Sequence, residues 1–264
     1  MVTMRREDVD WFADWFSNHV GGFYQDCSDT DRAAFHRKEH HTRSVVGIIC
    51  KIGVGLGHGG SDLMIAETAA WFHDIGRFTQ WKRYGTFSDS KSEDHALLGL
   101  KILGEKKVLE RISEVERETV NGAILYHGKR SLPHSLPGRV ALFAKMLRDA
   151  DKLDIWRQLV EFQPGANAAN DNVVTYGLPD TPSYSKRIMA DLLRGQSSDF
   201  NHAENRTDAI LLRLGWAFDL NFEVSRRMVL DKGYIQTLSL GLPNTAEVDK
   251  LKAKLLAHVK EKDL

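Results

Sequence analysis

Ala69-Ala70-Trp71-Phe72-His73-Asp74-Ile75-Gly76-Arg77 sets an imidazole and a carboxylate side by side at the end of an apolar run. Upstream, Ile65, Ala69 and Phe72 recur at helical spacing, and Ala66, Ala69 and Ala70 lie one or two turns behind His73. Gly76 reads as a helix-stop signal. His73 and Asp74 are therefore expected to project from the last turn of a mostly buried helix. Adjacent helical residues point about 100° apart. The pair could meet at one ion only beside the helix end, with other ligands arriving from elsewhere. A lone His-Asp pair is ordinarily a satisfied core histidine next to a terminal carboxylate. The other histidines decide whether this one is more.

On either side of that stretch, periodicity gives further helices. Residues 6–24 read as an amphipathic helix with Trp11, Trp15 and Phe16 on one side, and residues 31–56 as a longer one. From His41, the positions four, seven and eight on are Val45, Ile48 and Ile49; from His40 they run through Arg43, Ser44, Gly47 and Lys51. His41 thus faces the core, while His40 and His36 face solvent. The glycines between Gly53 and Gly60 lack a preceding strand and a Lys-Ser/Thr pair, which rules out a phosphate-binding P-loop. Ser61-Asp62 is expected to cap the helix that carries His73. Arg77 to Phe87 reads as an aromatic and basic loop, and Ser90-Lys91-Ser92-Glu93 as a capping box opening a helix at 92–104.

On that helix His95 lies on the face of Leu98 and Ile102; at the end of a helix over 108–127, His127 lies behind Val120, Ala123 and Ile124. A helix over 138–162 contains Asp149-Ala150-Asp151-Lys152-Leu153-Asp154. Asp151 is four residues from Leu147, on the apolar face of Phe143, Leu147 and Ala150, and Asp149 is turned about 200° away. Asp151 is therefore expected to be the buried carboxylate, which needs a partner. Residues 163–184 read as an irregular excursion, 184–194 as a helix, 207–231 as a helix apolar on most sides and 245–262 as a charged amphipathic helix. No strand pattern and no repeat occurs. The fold expected is all-α in one domain.

Composition narrows the class. The 264 residues suffice for a sizeable core, and 36 basic against 36 acidic residues argue against general nucleic-acid binding. Cys27 and Cys50 form no disulfide framework and no metal-type spacing. No signal peptide and no uninterrupted membrane span is read, so the protein is expected in the cytoplasm, without a membrane partner.

His41, His73, His95 and His127 lie on or beside the apolar sides of four different helices, with Asp74 and Asp151 at buried-side positions. A shared metal would satisfy all of them. Imidazole and carboxylate suit Mn, Fe, Co, Ni or Zn, Mg is compatible, and the lack of thiolate ligands excludes a zinc-cysteine site.

These residues resemble the HD-domain superfamily of metal-dependent phosphohydrolases, marked by a histidine, a His-Asp pair and a distal aspartate on separate helices. His41-Thr42-Arg43-Ser44-Val45 is similar to the first element, His73-Asp74-Ile75-Gly76-Arg77 to the second and Asp149-Ala150-Asp151-Lys152-Leu153-Asp154 to the third. Two-metal members carry two further histidines between the pair and the last aspartate, where His95 and His127 stand. The resemblance covers about residues 30–160. It implies an HD-type bundle with further helices, about 161–264, packed on it.

It also implies hydrolysis of a small phosphate ester, a nucleotide among the candidates, with two divalent ions. His41, His73 and Asp151 would hold one ion, His95 and His127 the other, and Asp74 would bridge them, Asp74 and His73 being the catalytic residues. Arg77, Lys129 and Arg130 flank these ligands and could bind phosphate oxygens, with Lys145 and Arg148 weaker candidates. No Gly-Tyr-Pro signature follows His127, which argues against a cyclic dinucleotide substrate. A di-iron oxygenase on the same scaffold and a non-catalytic metal-binding sensor are the alternatives.

Overall fold

The computed structural model describes residues 3–161, 177–181 and 183–261. These residues form α-helices and short 3-10 turns with no strand, as the sequence predicts. Residues 163–176 and 182 of the expected irregular excursion, and residue 162 at the end of the helix expected before it, lie outside the described residues. Two compact units divide the chain, Met1–Asp151 and Lys152–Leu264. No described helix is long and apolar enough to cross a membrane.

In the first unit α1 (Arg6–Gly21) buries Val9, Phe12, Phe16 and Val20. Trp11, expected on the packing side, is exposed and lies under the Arg111 guanidinium, 4.7 Å from its ring centre. Ring size misled the reading, because the stripe that keeps helical period is 9-12-16-20. Then come α2 (Asp29–Gly55) and α3 (Gly60–Phe72). Ser28 caps α2 by accepting from Asp31 N; Gly59, not Ser61-Asp62, is the N-cap of α3 and offers no side-chain bond.

Next are α4 (Ile75–Tyr84), α5 (His95–Glu105) and α6 (Glu114–His127). The helix expected to carry His73 ends at Phe72, shortly before Gly76, but residues 77–84, expected as a loop, are helical and run to Gly85 in the left-handed region (φ 62°). Three residues later than expected, α5 opens under an Asp94 cap that accepts from Ala96 N and Leu97 N. Ser113 and Glu116 form the capping box of α6, behind a 3-10 turn at Val108–Arg111. Last is α7 (Gly138–Glu161), whose residues to Asp151 belong to this unit. The helices pack α2 on α3, α3 on α6, α4 on α5 and α5 on α6. Phe12, Phe16, Phe35, Phe72 and Phe78 are among the core's largest fully buried side chains, each contributing about 1.5–3 kcal/mol by leaving water.

The second unit holds α8 (Lys186–Leu193), α9 (Arg206–Leu214), α10 (Glu223–Asp231), α11 (Tyr234–Ser239) and α12 (Ala246–Lys260). The single helix expected over 207–231 is two, broken by a 3-10 turn at Gly215–Asp219 and an extended Leu220. A Cβ on Gly215 would meet Leu192 Cδ2 at 2.4 Å, so the chain turns where its backbone touches α8. Two helices with separate buried faces had read as one helix buried all round. α12 packs on α8, α10 and α11.

Candidate metal centre

The His73-Asp74 pair forms the joint between α3 and α4. His73 keeps helical torsions (φ −56°, ψ −38°), and Asp74 leaves them (φ −109°, ψ 13°). Asp74 stands at the N-cap of α4, yet its carboxylate makes no capping bond and points into the centre. Gly76 decides what it meets there. A Cβ at Gly76 would lie 2.2 Å from the His95 carbonyl oxygen and 2.7 Å from Gly99 N. Glycine therefore lets the backbone of α4 rest against that of α5, and the contact delivers His95 to Asp74.

His41, His73, Asp74, His95 and His127, expected to converge, do so, and each is 5 % exposed or less. Nε2 of His41 and Nε2 of His73 are 3.2 Å apart, and those of His95 and His127 are 3.1 Å apart. Asp74 lies between the pairs. Its Oδ2 is 3.6 Å from His41 Nε2 and 3.7 Å from His73 Nε2, and its Oδ1 is 3.5 Å from His95 Nε2. Two groups of possible ligands follow, His41-His73-Asp74 and Asp74-His95-His127, in each of which the ligand atoms lie within 4.8 Å of one another. Asp151 Oδ1 is 3.1 Å from His41 Nε2.

Asp151 reaches the centre for a different reason from the one expected. Asp149 and Asp154 are the fully buried carboxylates of α7, while the Asp151 side chain is 20 % exposed. Met146 and Trp156 bury as fully as Phe143 and Leu147, so the helix has no single apolar face to select one aspartate. Asp154 accepts from Arg157 and Gln158 of its own helix, whereas Asp151 faces His41.

The outer ring nitrogens fix the inner ones. His73 Nδ1 donates to the Ala70 carbonyl at 2.8 Å and His127 Nδ1 to the Ile124 carbonyl at 2.6 Å. His95 Nδ1 is 2.7 Å from Asp89 Oδ2. Asp89 is ionised: against burial, the His95 hydrogen bond and Arg77 hold it below the usual carboxylate range. Carbonyl and carboxylate oxygens accept, so all three rings carry their proton on Nδ1 and an Nε2 lone pair toward the centre. Burial lowers the pKa of His73 and His95, and burial with the neighbouring His73 takes His127 down to about 4. These rings are neutral at pH 7.

His95 and His127 therefore face each other lone pair to lone pair at 3.1 Å, an arrangement that a cation stabilises and that no donor among the described residues satisfies. The donor set fits a divalent transition metal in each half. His41 differs. Its Nε2 lies between His73 Nε2 and Asp151 Oδ1, so a proton held there is the one an ion would replace.

Lys38, Asp89 and Gln80 were not singled out in the sequence. Lys38 Nζ bonds Asp74 Oδ2 at 2.7 Å. Burial would raise the Asp74 pKa, but Lys38, His73 and Arg77 outweigh it and hold the carboxylate well below its usual range. Fully buried Gln80 donates to Asp89 Oδ1 at 2.9 Å. Lys38 stands one turn before His41 on the same side of α2, a spacing that could have flagged it. Asp89 stands one residue before the Ser90-Lys91-Ser92-Glu93 stretch and carries no signal of its own in the sequence.

Arg77 donates to Asp74, Gln80, the Phe87 carbonyl and Asp89. Lys129 pairs with Asp94 Oδ2 at 2.6 Å, and the Arg130 side chain is exposed. Buried Arg148 donates to the carbonyls of His127, Lys129 and Arg130, which secures the end of α6. The further group Asp89-Asp94-His95 has its carboxylates already paired with Arg77 and Lys129.

Histidines and aspartates from separate helices of one unit gather around one carboxylate, a donor set that could hold a metal ion. Residues 39–156 match the family model of the HD domain, and this part of the chain is an HD domain. No curated protein and no solved structure matches the chain. HD domains are generally metal-dependent phosphohydrolases.

Proposed function

We propose that this protein is a metal-dependent phosphohydrolase acting on a small phosphate ester, a nucleotide among the candidates, in the cytoplasm. The observation that carries the reading is the placement of Asp74 between two buried imidazole pairs. His41, His73 and Asp151 would hold one divalent ion, His95 and His127 the other, with Asp74 shared. Bound there, such ions lower the pKa of coordinated water and polarise a phosphoryl oxygen.

The chain's own residues do the rest. His73, fully buried, and Asp74, one oxygen toward each pair, are the catalytic residues. Asp89 orients His95 through Nδ1, and Arg77 fixes Asp89. Arg77, Lys129 and Arg130 are the proposed phosphate contacts.

Charge favours an anionic substrate. Three carboxylates, Asp74, Asp89 and Asp151, meet two cations, Lys38 and Arg77, among neutral imidazoles, a net charge of −1. Two divalent ions would turn that into an excess of three positive charges, which a phosphate dianion offsets and a neutral polyol does not. The di-iron oxygenase reading uses the same donors, and the sensor reading uses them without turnover. Metal analysis of untreated protein, followed by hydrolysis of p-nitrophenyl phosphate with and without oxygen, tests all three. Oxygen uptake on a polyol with no phosphatase activity would overturn the proposal.

A further inference from the structure

We propose that Lys38 is a movable cation of this centre, neutralising Asp74 while no ion is bound and contacting the substrate's phosphate once an ion has taken Asp74 Oδ2. The inference rests on the metal-dependent reading above. Each Asp74 oxygen faces one imidazole pair and has one cationic neighbour. Oδ1 has Arg77 Nε at 3.4 Å; Oδ2 has Lys38 Nζ at 2.7 Å.

The two cations are held differently. Arg77 is tied down by the Phe87 carbonyl, Gln80 and Asp89 as well. Among the described residues Lys38 has Asp74 as its hydrogen-bond partner and the Phe87 ring, 5.3 Å away, as its other contact. Its side chain is 18 % exposed, against 4 % for Asp74.

Oδ2 is also the oxygen nearest His41 and His73, where an ion would bind. A divalent ion on Oδ2 repels the ammonium from its place. Lysine is a compact charge on a flexible four-carbon stem, so it can leave Asp74 and still reach an anion at the mouth of the centre. Lys38 therefore opposes the metal and favours the phosphate. One side chain acts with opposite signs on two ligands, which a purely structural lysine would not do.

The test uses the full chain, metal-stripped, with Lys38→Met and Lys38→Gln. Free Mn2+ is followed by electron paramagnetic resonance during titration, and inorganic phosphate is then titrated calorimetrically into the Mn2+-loaded proteins. Both variants should bind one Mn2+ about tenfold more tightly than wild type, and phosphate about tenfold more weakly, as expected for removing one charge from a half-buried site. Thermal melts identify a variant that fails to fold, and the other then decides. Unchanged or weaker Mn2+ binding, or unchanged phosphate binding, overturns the role of Lys38. Wild-type protein that takes up no Mn2+ overturns the metal-centre reading, and this inference with it.

Discussion

Replacing Gly76 by alanine would push a methyl group into the seam between α4 and α5. The new Cβ would lie 2.2 Å from the His95 carbonyl oxygen, against about 3.3–3.6 Å for a comfortable carbon–oxygen contact. The helices must part by about 1 Å, because the obstructing atoms are backbone and no rotamer change relieves them. Overpacking costs about 1–3 kcal/mol, and the rigid neighbours put this case at the upper end. For a chain of this size, ~3 kcal/mol is a fall in Tm of about 6–12 °C. The same displacement carries His95 away from Asp74 Oδ1, and a misplacement of about 1 Å costs on the order of 100-fold in rate.

Gly99→Ala is the internal comparison. Its Cβ would meet the Ile75 Cγ2 side-chain atom at 3.1 Å, so we expect less than about 1.5 kcal/mol. Thermal melts, bound metal and p-nitrophenyl phosphate hydrolysis on the two variants make the assay. A Gly76→Ala protein with wild-type Tm and metal content, or a Gly99→Ala protein that suffers more, would refute the close-approach argument.

Exhaustive chelation should abolish hydrolysis, and Mn2+ should restore it; activity that survives chelation would remove the metal mechanism. His95→Ala or His127→Ala should lower bound metal by about one equivalent while leaving the ion of His41, His73 and Asp151, and two ions should stand about 3.5–4 Å apart in a metal-loaded crystal structure. His41→Ala should lose metal and His40→Ala keep it, read by elemental analysis, since buried His41 faces the centre and His40 faces solvent. Metal-stripped protein should lose stability as pH falls from about 6.5 toward 4. The unfolded chain takes up a proton on His127 throughout that window while the folded chain resists until about 4. That one group is worth about 3 kcal/mol, and the lowered pKa values of His73 and His95 act in the same direction. Urea denaturation at pH 7 and pH 4.5 with equal midpoints would contradict it.

Single-helix periodicity was enough to orient His41 inward and to set His95 and His127 on buried faces, because each lies in a helix with a clear stripe. It failed where the information lies between elements. Gly76 read as a stop because its reason for being glycine is a backbone 19 residues away in sequence, at His95. Asp149, Asp151 and Asp154 could not be ranked by burial, since α7 is covered on more than one side. Lys38 is not legible, because a lysine beside charged neighbours reads as solvated until its partner, Asp74, is known. The charges that set the centre's balance come from four separate stretches, at Lys38, Asp74 to Arg77, Asp89 and Asp151, and only folding adds them together.

The hydrogen bonds at the backs of the rings reach beyond geometry. Histidine sites ordinarily give up protons when they take a metal. Here His73, His95 and His127 enter neutral, with Nε2 already bare. Filling the half held by His95 and His127 at neutral pH thus draws almost no acid from its rings, whereas the other half must displace the proton at His41 Nε2. Calorimetry in buffers of different ionisation enthalpy should register close to zero protons from the rings for the ion at His95 and His127, and up to one for the ion at His41. The cargo should also stay in place in mildly acidic surroundings, where a surface histidine cluster would already have let it go.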